Sequence, residues 1–275
     1  MRASRARTGK LRAISFVAVL LLLTVAGTAA GAILPSAAPA SRTVDTWFAL
    51  PQFNREYAAQ GGNPQPTAGH LLIYLPDRFD EHGTWPLLIV SSTTDGGRTS
   101  IMDAPAYRGV TADGWLVLAT DANIRPRSDT ISWRAAVLSG GLDVLHRDWP
   151  ASRKWPVVFA GFSGGAKRSE WTSAMFAETR SLRIAGIFLA GINDDRMPQA
   201  LEAFHPPANF KNVPIWISSG RNDGIAKPDA EREVEGSLIH LGFRNVRLSS
   251  FVGAHELGRS DLRDALRWFR SLGRF

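Results

Sequence analysis

The sequence predicts an α/β fold in which helices cover both faces of a mostly parallel central sheet. From about residue 69 onward, short apolar runs alternate with segments of helical length, which is the order expected of a parallel sheet with crossover helices. Most of the runs are continuously apolar, as in strands that are buried on both faces. These two observations together predict a single large domain with a buried sheet.

Seven segments have the length and composition of buried strands. Each is a short apolar run that contains β-branched or aromatic residues. They are "HLLIYLP" (70–76), "PLLIVS" (86–91), "WLVLATD" (115–121), "PVVFAGFS" (156–163), "IAGIFLAG" (184–191), "VPIWISSG" (213–220) and "VRLSSF" (246–251). The segment before them, residues 43–69, carries a Gly-Gly-Asn-Pro turn at 61–64. We expect it to be irregular or to form an edge strand.

Five segments between or after these strands are predicted to be helical, at 131–147, 164–178, 197–204, 226–241 and 260–272. The fourth is the best marked, because Pro228 lies in its first turn and Gly242 follows it. The connection from Gly191 to Asn212 has only about 20 residues and contains Pro206-Pro207, which is short for a separate domain. We therefore expect no large cap domain over the sheet.

The net charge of +7 does not indicate a nucleic-acid-binding protein. Residues 1–40 hold five of the 32 basic residues and none of the 25 acidic ones, so the rest of the chain is nearly neutral. No Lys/Arg cluster with interleaved aromatic residues occurs there, and a nucleic-acid partner is not expected. Cysteine is absent, which excludes disulfides and thiolate chemistry.

Residues 1–40 have the layout of a secretory signal peptide. A basic start is followed by the apolar run from Ala13 to Leu34 and then by small residues. Ala38-Pro39-Ala40 is one candidate cleavage site and Ala30-Gly31-Ala32 is another, and the mature chain is expected to start near Ser41 or slightly earlier. The alternative is an uncleaved membrane anchor, since about 20 apolar residues span a bilayer. The remaining domain, residues 41–275, is then secreted or periplasmic, or membrane-anchored and facing outside.

Ser163 is the candidate nucleophile. It lies in "GFSGG" (161–165), where a predicted buried strand ends and a predicted helix begins. A serine in such a sharp turn projects its hydroxyl above the carboxyl edge of the sheet, and the backbone N–H of Gly164 is free to bind an oxyanion. Taken alone, however, the glycines are also typical of a simple turn.

A serine nucleophile needs a histidine base and a carboxylate that orients the histidine. Asp223 follows the next-to-last predicted strand and His255 follows the last one, so both are expected at the edge that carries Ser163. Asp195, after the strand before, is the alternative acid. Singly, Asp223 in "RNDG" is also typical of a turn, and His255 of a surface loop.

The order Ser163, Asp223, His255 resembles that of the α/β-hydrolases over nearly the whole mature length. Within that superfamily the chain is similar to exported polyhydroxyalkanoate depolymerases, feruloyl esterases and dienelactone-hydrolase-like enzymes. One departure is that the strand "PLLIV" leads into "SSTTDGG" (91–97), where many relatives have a His-Gly-Gly-rich loop that supplies an oxyanion donor. The backbone of Thr93 or Thr94 is expected to replace that donor.

The resemblance implies an exported serine hydrolase that cleaves small, bulky or polymeric carboxylic esters through an acyl-enzyme. The alternatives are a peptidase or other acyl hydrolase with the same site, and a non-catalytic hydrolase-like domain that binds a ligand at the cell envelope. No cofactor is implied. No metal is assigned either, because the other histidines lack paired ligand spacing; they are His70, His82, His146, His205 and His240.

Overall fold

The computed structural model describes residues 33–36, 39, 42–93 and 105–275. The chain divides into two compact units, Met1–Ala30 and Gly31–Phe275, and all described residues belong to the second. The predicted cleavage sites and the predicted start at Ser41 lie largely outside the described residues.

The described strands form one eight-stranded sheet. In chain order they are β1 (Thr43–Ala49), β2 (Ala68–Tyr74), β3 (Leu87–Ser91), β4 (Leu116–Ala122), β5 (Pro156–Phe162), β6 (Arg183–Ala190), β7 (Ile215–Gly220) and β8 (Val246–Phe251). Their order across the sheet is β1-β2-β4-β3-β5-β6-β7-β8. Only the pairs β1–β2 and β2–β4 are antiparallel, so β2 alone is reversed and the other seven strands end at one common edge.

Helices cover both faces of this sheet within the described residues. They are α1 (Gln52–Ala58), α2 (Pro105–Gly109), α3 (Ile131–Asp148), α4 (Gly164–Glu178), α5 (Met197–Phe204), α6 (Pro228–His240) and α7 (Arg259–Ser271). Side chains of α3, α4 and α6 pack on one face, and those of α2 and α7 pack on the other. The predicted α/β class is confirmed.

The seven predicted strands and five predicted helices are all present, with ends within two residues of those expected. The connection from β6 to β7 contains only α5 and the short 3₁₀ turn Ala208–Asn212, so no cap domain is built there.

Residues 43–69, which were predicted to be either irregular or an edge strand, are not wholly irregular. They form the edge strand β1, as the second alternative proposed, but they also form α1, which was not predicted. Helix α1 has no side-chain cap at its amino end. It is held by packing on α3, where Asn54 Nδ2 donates to the Ala136 carbonyl oxygen at 2.7 Å. A seven-residue helix of this kind depends on tertiary contacts rather than on local sequence.

Residues 33–35 are bound to the end of α3. The backbone N–H groups of Ile33 and Leu34 donate to Asp148 Oδ2 at 2.7 and 2.9 Å, and Trp149 Nε1 donates to the Pro35 carbonyl oxygen at 2.8 Å. The Leu34 side chain is buried in the core. Residues 33–35 are therefore an integral part of the domain.

The described residues contain neither a membrane-spanning helix nor a cluster of metal ligands. None of the helices in that part of the chain is both long and apolar enough to cross a bilayer. Nor do three or more His, Asp or Glu side chains in the described ranges come together as metal ligands.

Candidate active site

Ser163 lies in a strained turn between β5 and α4. Its φ is 55° and its ψ is −120°, a conformation that L-residues rarely adopt and that is typical of functional turns. The turn is fixed from both sides, because Ser163 N–H donates to the Ala190 carbonyl oxygen at 2.8 Å and Ala166 N–H donates to the Ser163 carbonyl oxygen at 3.0 Å. The strain places the hydroxyl group at the carboxyl edge of the sheet.

The two outer glycines of the motif are required by close backbone contacts. A Cβ on Gly161 would lie 2.1 Å from the Gly165 carbonyl, and a Cβ on Gly165 would lie 2.1 Å from the Ser91 carbonyl oxygen. Both distances are far below a normal contact, and the neighbouring atoms are backbone atoms that cannot move aside. The Gly-x-Ser-x-Gly pattern thus reflects how tightly β5, α4 and the end of β3 pack around Ser163.

The structure brings Ser163, His255 and Asp223 together. His255 Nε2 is 3.0 Å from Ser163 Oγ, and His255 Nδ1 is 2.7 Å from Asp223 Oδ2. The three residues follow β5, β8 and β7 respectively, so the common carboxyl edge of the parallel strands accounts for their proximity. This is the geometry by which a carboxylate orients a histidine toward a serine hydroxyl.

Asp223 is held as a carboxylate. Its side chain is 1% exposed, and burial alone would raise its pKa. The hydrogen bond with His255 and those from the backbone N–H groups of Ile225 and Ala226 outweigh burial, so the pKa of Asp223 lies below its usual value. The two backbone donors reach Oδ1 at 2.7 and 2.8 Å. This leaves Oδ2 directed at the histidine.

The His255 ring is positioned by apolar neighbours. Its centroid lies 4.6 Å from that of Phe162, and a Cβ on Gly191 would lie 3.1 Å from His255 Cε1. Gly191 also has a φ of 57°, a left-handed conformation that favours glycine. The glycine after β6 therefore leaves room for the imidazole, a role that the sequence did not reveal.

The predicted oxyanion donors are described only in part. Gly164 is the first residue of α4, and the N–H groups in the first turn of a helix have no intrahelical acceptor. The Thr93 carbonyl oxygen would lie 3.4 Å from a Cβ on Gly164, so the backbone after β3 lies against the start of the helix. Thr94 lies outside the described residues.

Asp195, the alternative acid, has other partners. Its Oδ1 accepts a hydrogen bond from Met197 N–H at 2.8 Å at the start of α5. It also lies beside Glu170, a fully buried residue of α4 whose Oε2 accepts from Arg196 N–H at 2.8 Å. Burial first, and then the Asp195 charge, raises the pKa of Glu170 well above its usual value. The pair joins the loop after β6 to α4, and Asp223 occupies the position next to His255.

A second acidic group that the sequence did not reveal, Glu231, lies behind Asp223. It is in the first turn of α6 and fully buried. Burial and, to a lesser extent, the Asp223 charge raise the pKa of Glu231 to about 7, against opposing effects from Ser219 and the backbone at Ile192. The Asp223 carboxylate therefore lies near a carboxyl group whose pKa is raised to about 7.

We expect Glu231→Gln to change how stability depends on pH. Between the usual pKa of 4.5 and about 7, the unfolded chain releases a proton that folded Glu231 retains, so the native protein loses stability as pH rises through this interval. Glutamine has no such titration. The melting temperature of the variant relative to that of the native protein should therefore increase from about pH 5 to about pH 8. The exposed Glu233→Gln is the matched control, and a difference that is constant with pH would contradict the expectation.

A half-buried ion cluster lies beside the site. Asp129, in the loop after β4, binds Arg134 of α3 with Nε–Oδ1 and Nη2–Oδ2 distances of 2.6 and 3.0 Å. Its Oδ2 also accepts from Arg168 Nε at 2.8 Å. Arg168 lies in the second turn of α4, so the cluster joins the loop after β4 to the helix that follows Ser163. Local sequence patterns do not indicate this cluster, because Arg168 lies 39 residues after Asp129 in the chain.

Comparison with known proteins rests on structure alone, since no protein-family model and no curated protein matches the chain. An esterase from Pyrococcus furiosus is 15% identical, with 84% of this chain and 88% of that chain covered and a TM-score of 0.52. A Bacillus cereus carboxylesterase is 18% identical, with 81% and 99% covered and a TM-score of 0.52. Esterase 2 from Thermogutta terrifontis, phosphoramylated by tabun, is 15% identical, with 75% and 90% covered and a TM-score of 0.53.

The chain has the α/β-hydrolase fold. Identities this low show the fold but not the activity, and the predicted fold is confirmed at that level. The narrower resemblance to polyhydroxyalkanoate depolymerases, feruloyl esterases and dienelactone hydrolases stays a prediction.

Proposed function

We propose that this α/β-hydrolase-fold protein cleaves carboxylic esters through an acyl-enzyme. The observation that carries the proposal is the continuous hydrogen-bonded arrangement of Ser163, His255 and Asp223. His255 removes the proton from the Ser163 hydroxyl as it attacks the ester carbonyl, and then donates it to the departing alkoxide. Water is activated in the same way and releases the acid, which restores the free serine.

The oxyanion formed in each half-reaction is stabilised by backbone donors. We propose that Gly164 N–H is one of them, because it lies at the start of α4 directly after Ser163. The second donor comes from the backbone after β3, at Thr93 or Thr94. Loss of one such donor typically costs about 100- to 1000-fold in rate, so turnover remains measurable even with a single donor.

Ester substrates are the first candidate because several structural neighbours are named as esterases or a carboxylesterase. An acylaminoacyl peptidase is also a structural neighbour, with a TM-score of 0.54, which keeps peptides as a candidate substrate. We further propose that bulky or polymeric esters are accepted, since the connection between β6 and β7 builds no cap domain. A peptidase or other acyl hydrolase is the second candidate, and a non-catalytic binding domain the third. The same triad serves the first two, so their distinction depends on the substrate.

Labelling with a fluorophosphonate tests whether the site is active. We expect the probe to attach to Ser163, as tabun reacts with the Thermogutta enzyme, and we expect Ser163→Ala to take no label. Ser128→Ala, which removes an exposed hydroxyl from the loop after β4, is the matched control and should label normally. If folded protein takes no label and cleaves neither esters nor peptides, the non-catalytic alternative is correct.

A panel of substrates tests the specificity. Short soluble esters, bulky esters, polymeric esters and peptides should be compared with the same protein preparation. The proposal expects turnover of esters, including bulky ones, and little or none of peptides. Cleavage of peptides alone would favour the peptidase, and consistent refusal of bulky esters would contradict the open site.

We also propose that the protein is exported and that cleavage occurs at the earlier candidate site. Cleavage after Ala40 would remove Leu34 from the core and leave Asp148 and Trp149 without the partners given by residues 33–35. Cleavage near Ala30-Gly31-Ala32 keeps these contacts. Amino-terminal sequencing of exported protein should therefore begin between Gly31 and Ile33. A start at Ser41 would contradict this boundary, and a start within residues 1–12 would favour the membrane anchor.

A further inference from the structure

A cavity of about 490 Å³ lies at the amino-terminal edge of the sheet. Its walls are the end of α4, the first residues of β6 and the 3₁₀ turn before β7. Arg274, next to the last residue of the sequence, completes them. Ser163 follows the carboxyl end of β5, so the cavity and the candidate active site lie at opposite edges of the parallel strands. Its volume is within the range of about 300 to 1,000 Å³ that is typical of small-molecule sites.

Three arginines line this cavity, namely Arg180, Arg183 and Arg274, and no acidic residue lines it. None of the three forms an ion pair with any residue that the structure describes. Arginines near the active site are different, since Arg134 and Arg168 share Asp129. Three uncompensated guanidinium groups on one cavity produce a positive potential that favours an anion.

Arg274 is already held in place. Its Nη2 donates to the Asn212 carbonyl oxygen at 2.5 Å, and burial lowers its pKa without a carboxylate that offsets the effect. A guanidinium group nevertheless stays charged in proteins. Part of the cation is therefore removed from water and fixed by the fold, which reduces the entropy lost when an anion binds.

The remaining walls of the cavity are largely apolar. Phe210 and Val213 are buried, and Leu182 and Ile184 are half-buried beside them. Leu182 and Ile184 still face water in part. A hydrocarbon chain that covers them gains about 25 cal/mol per Å² of apolar surface removed from water, whereas an inorganic anion gains nothing from this surface. The combination of cationic and apolar walls matches a molecule with both parts.

We propose that this cavity binds an amphiphilic anion. The anionic head group is held by Arg180, Arg183 and Arg274, and the hydrocarbon chain lies on the apolar wall. Planar guanidinium groups bind the oxygens of phosphate or carboxylate through paired N–H donors. The site is separate from Ser163 and does not depend on the proposed ester hydrolysis.

Calorimetric titration with octyl phosphate tests the proposal on the full domain. Inorganic phosphate supplies the head group alone, and octyl glucoside supplies the same chain without charge. We expect octyl phosphate to bind at least about tenfold more tightly than either, since both kinds of contact contribute to affinity. Equal binding of inorganic phosphate, or no binding of octyl phosphate, would overturn the proposal.

The arginines are tested with Arg180→Gln/Arg183→Gln, which keeps the Arg274 contact with the backbone. Both replaced side chains are exposed, so the melting temperature should stay near that of the native protein. Binding of octyl phosphate should weaken about tenfold or more, because charged hydrogen bonds to the head group are lost. Arg127→Gln, an exposed arginine on the loop after β4, is the charge-matched control and should bind normally. Unchanged affinity in the double variant would overturn the assignment.

The source of the amphiphile is distinguished with vesicles. Binding to vesicles that contain phosphatidylglycerol, lost in the double variant and absent with phosphatidylcholine alone, would support the cavity and assign a membrane lipid as its ligand. Binding of soluble octyl phosphate without vesicle binding would support the cavity and assign a free amphiphile. Vesicle binding that persists in the double variant, with no binding of octyl phosphate, would contradict the proposal.

Discussion

Replacing Ser163 with alanine is expected to reduce ester turnover by roughly a million-fold, the loss typical of a missing serine nucleophile. Among the described residues, the Ser163 hydroxyl has one side-chain partner, His255, so the fold should be unaffected. The residual rate should still exceed that of the uncatalysed reaction, because Gly164 N–H and the substrate-binding surface remain. Initial rates with an activated short-chain ester measure the effect.

The melting temperature of Ser163→Ala should match that of the native protein, and Ser128→Ala should retain full turnover. These two controls separate loss of the nucleophile from loss of structure. A Ser163→Ala preparation that is folded and turns over esters at the native rate would mean that another group attacks the carbonyl.

Asp223→Asn is expected to lower kcat about ten-thousand-fold, the loss typical of a serine protease in which the orienting carboxylate is replaced by an amide. The amide oxygen can still accept from the Ile225 and Ala226 N–H groups, as Asp223 Oδ1 does. The NH₂ group then faces His255 Nδ1 and forces that nitrogen to act as an acceptor. Nε2 consequently carries the proton and cannot serve as the base for Ser163.

Asp195→Asn is the matched control for Asp223→Asn. Asp195 Oδ1 accepts from Met197 N–H, a bond that the asparagine oxygen can keep. We expect a fall in kcat of less than about tenfold, since Asp195 acts through the loop after β6 and not on His255. The opposite ranking of the two variants would assign the role of orienting acid to Asp195.

The order of strands and helices was predictable because it depends on local patterns. Continuous apolar runs such as "PVVFAGFS" can be stable only where both faces are covered, and Pro228 and Gly242 mark a helix without reference to the rest of the chain. Helix α1 was not predictable in this way, since its seven residues carry no cap and are held by α3.

The members of the candidate triad were also accessible from sequence. In a mainly parallel sheet, residues that directly follow the strands meet at one edge, so the positions of Ser163, Asp223 and His255 after three strands were enough to bring them together. Sequence alone left Asp195 as an alternative, because it also follows a strand. The 2.7 Å distance from His255 to Asp223 and the contact between Asp195 and Met197 distinguish them.

By itself, then, the sequence determined the α/β class, the order of seven strands and five helices, and the three side chains at the carboxyl edge, all of which follow from patterns within a few residues. Only the tertiary structure decided which side chains from distant parts of the chain lie next to each other away from water. Glu231 behind Asp223, Glu170 beside Asp195, Asp129 between two arginines and Leu34 in the core are examples. Their protonation, pairing and burial depend on contacts between segments far apart in the chain, and local patterns carry no information about such contacts.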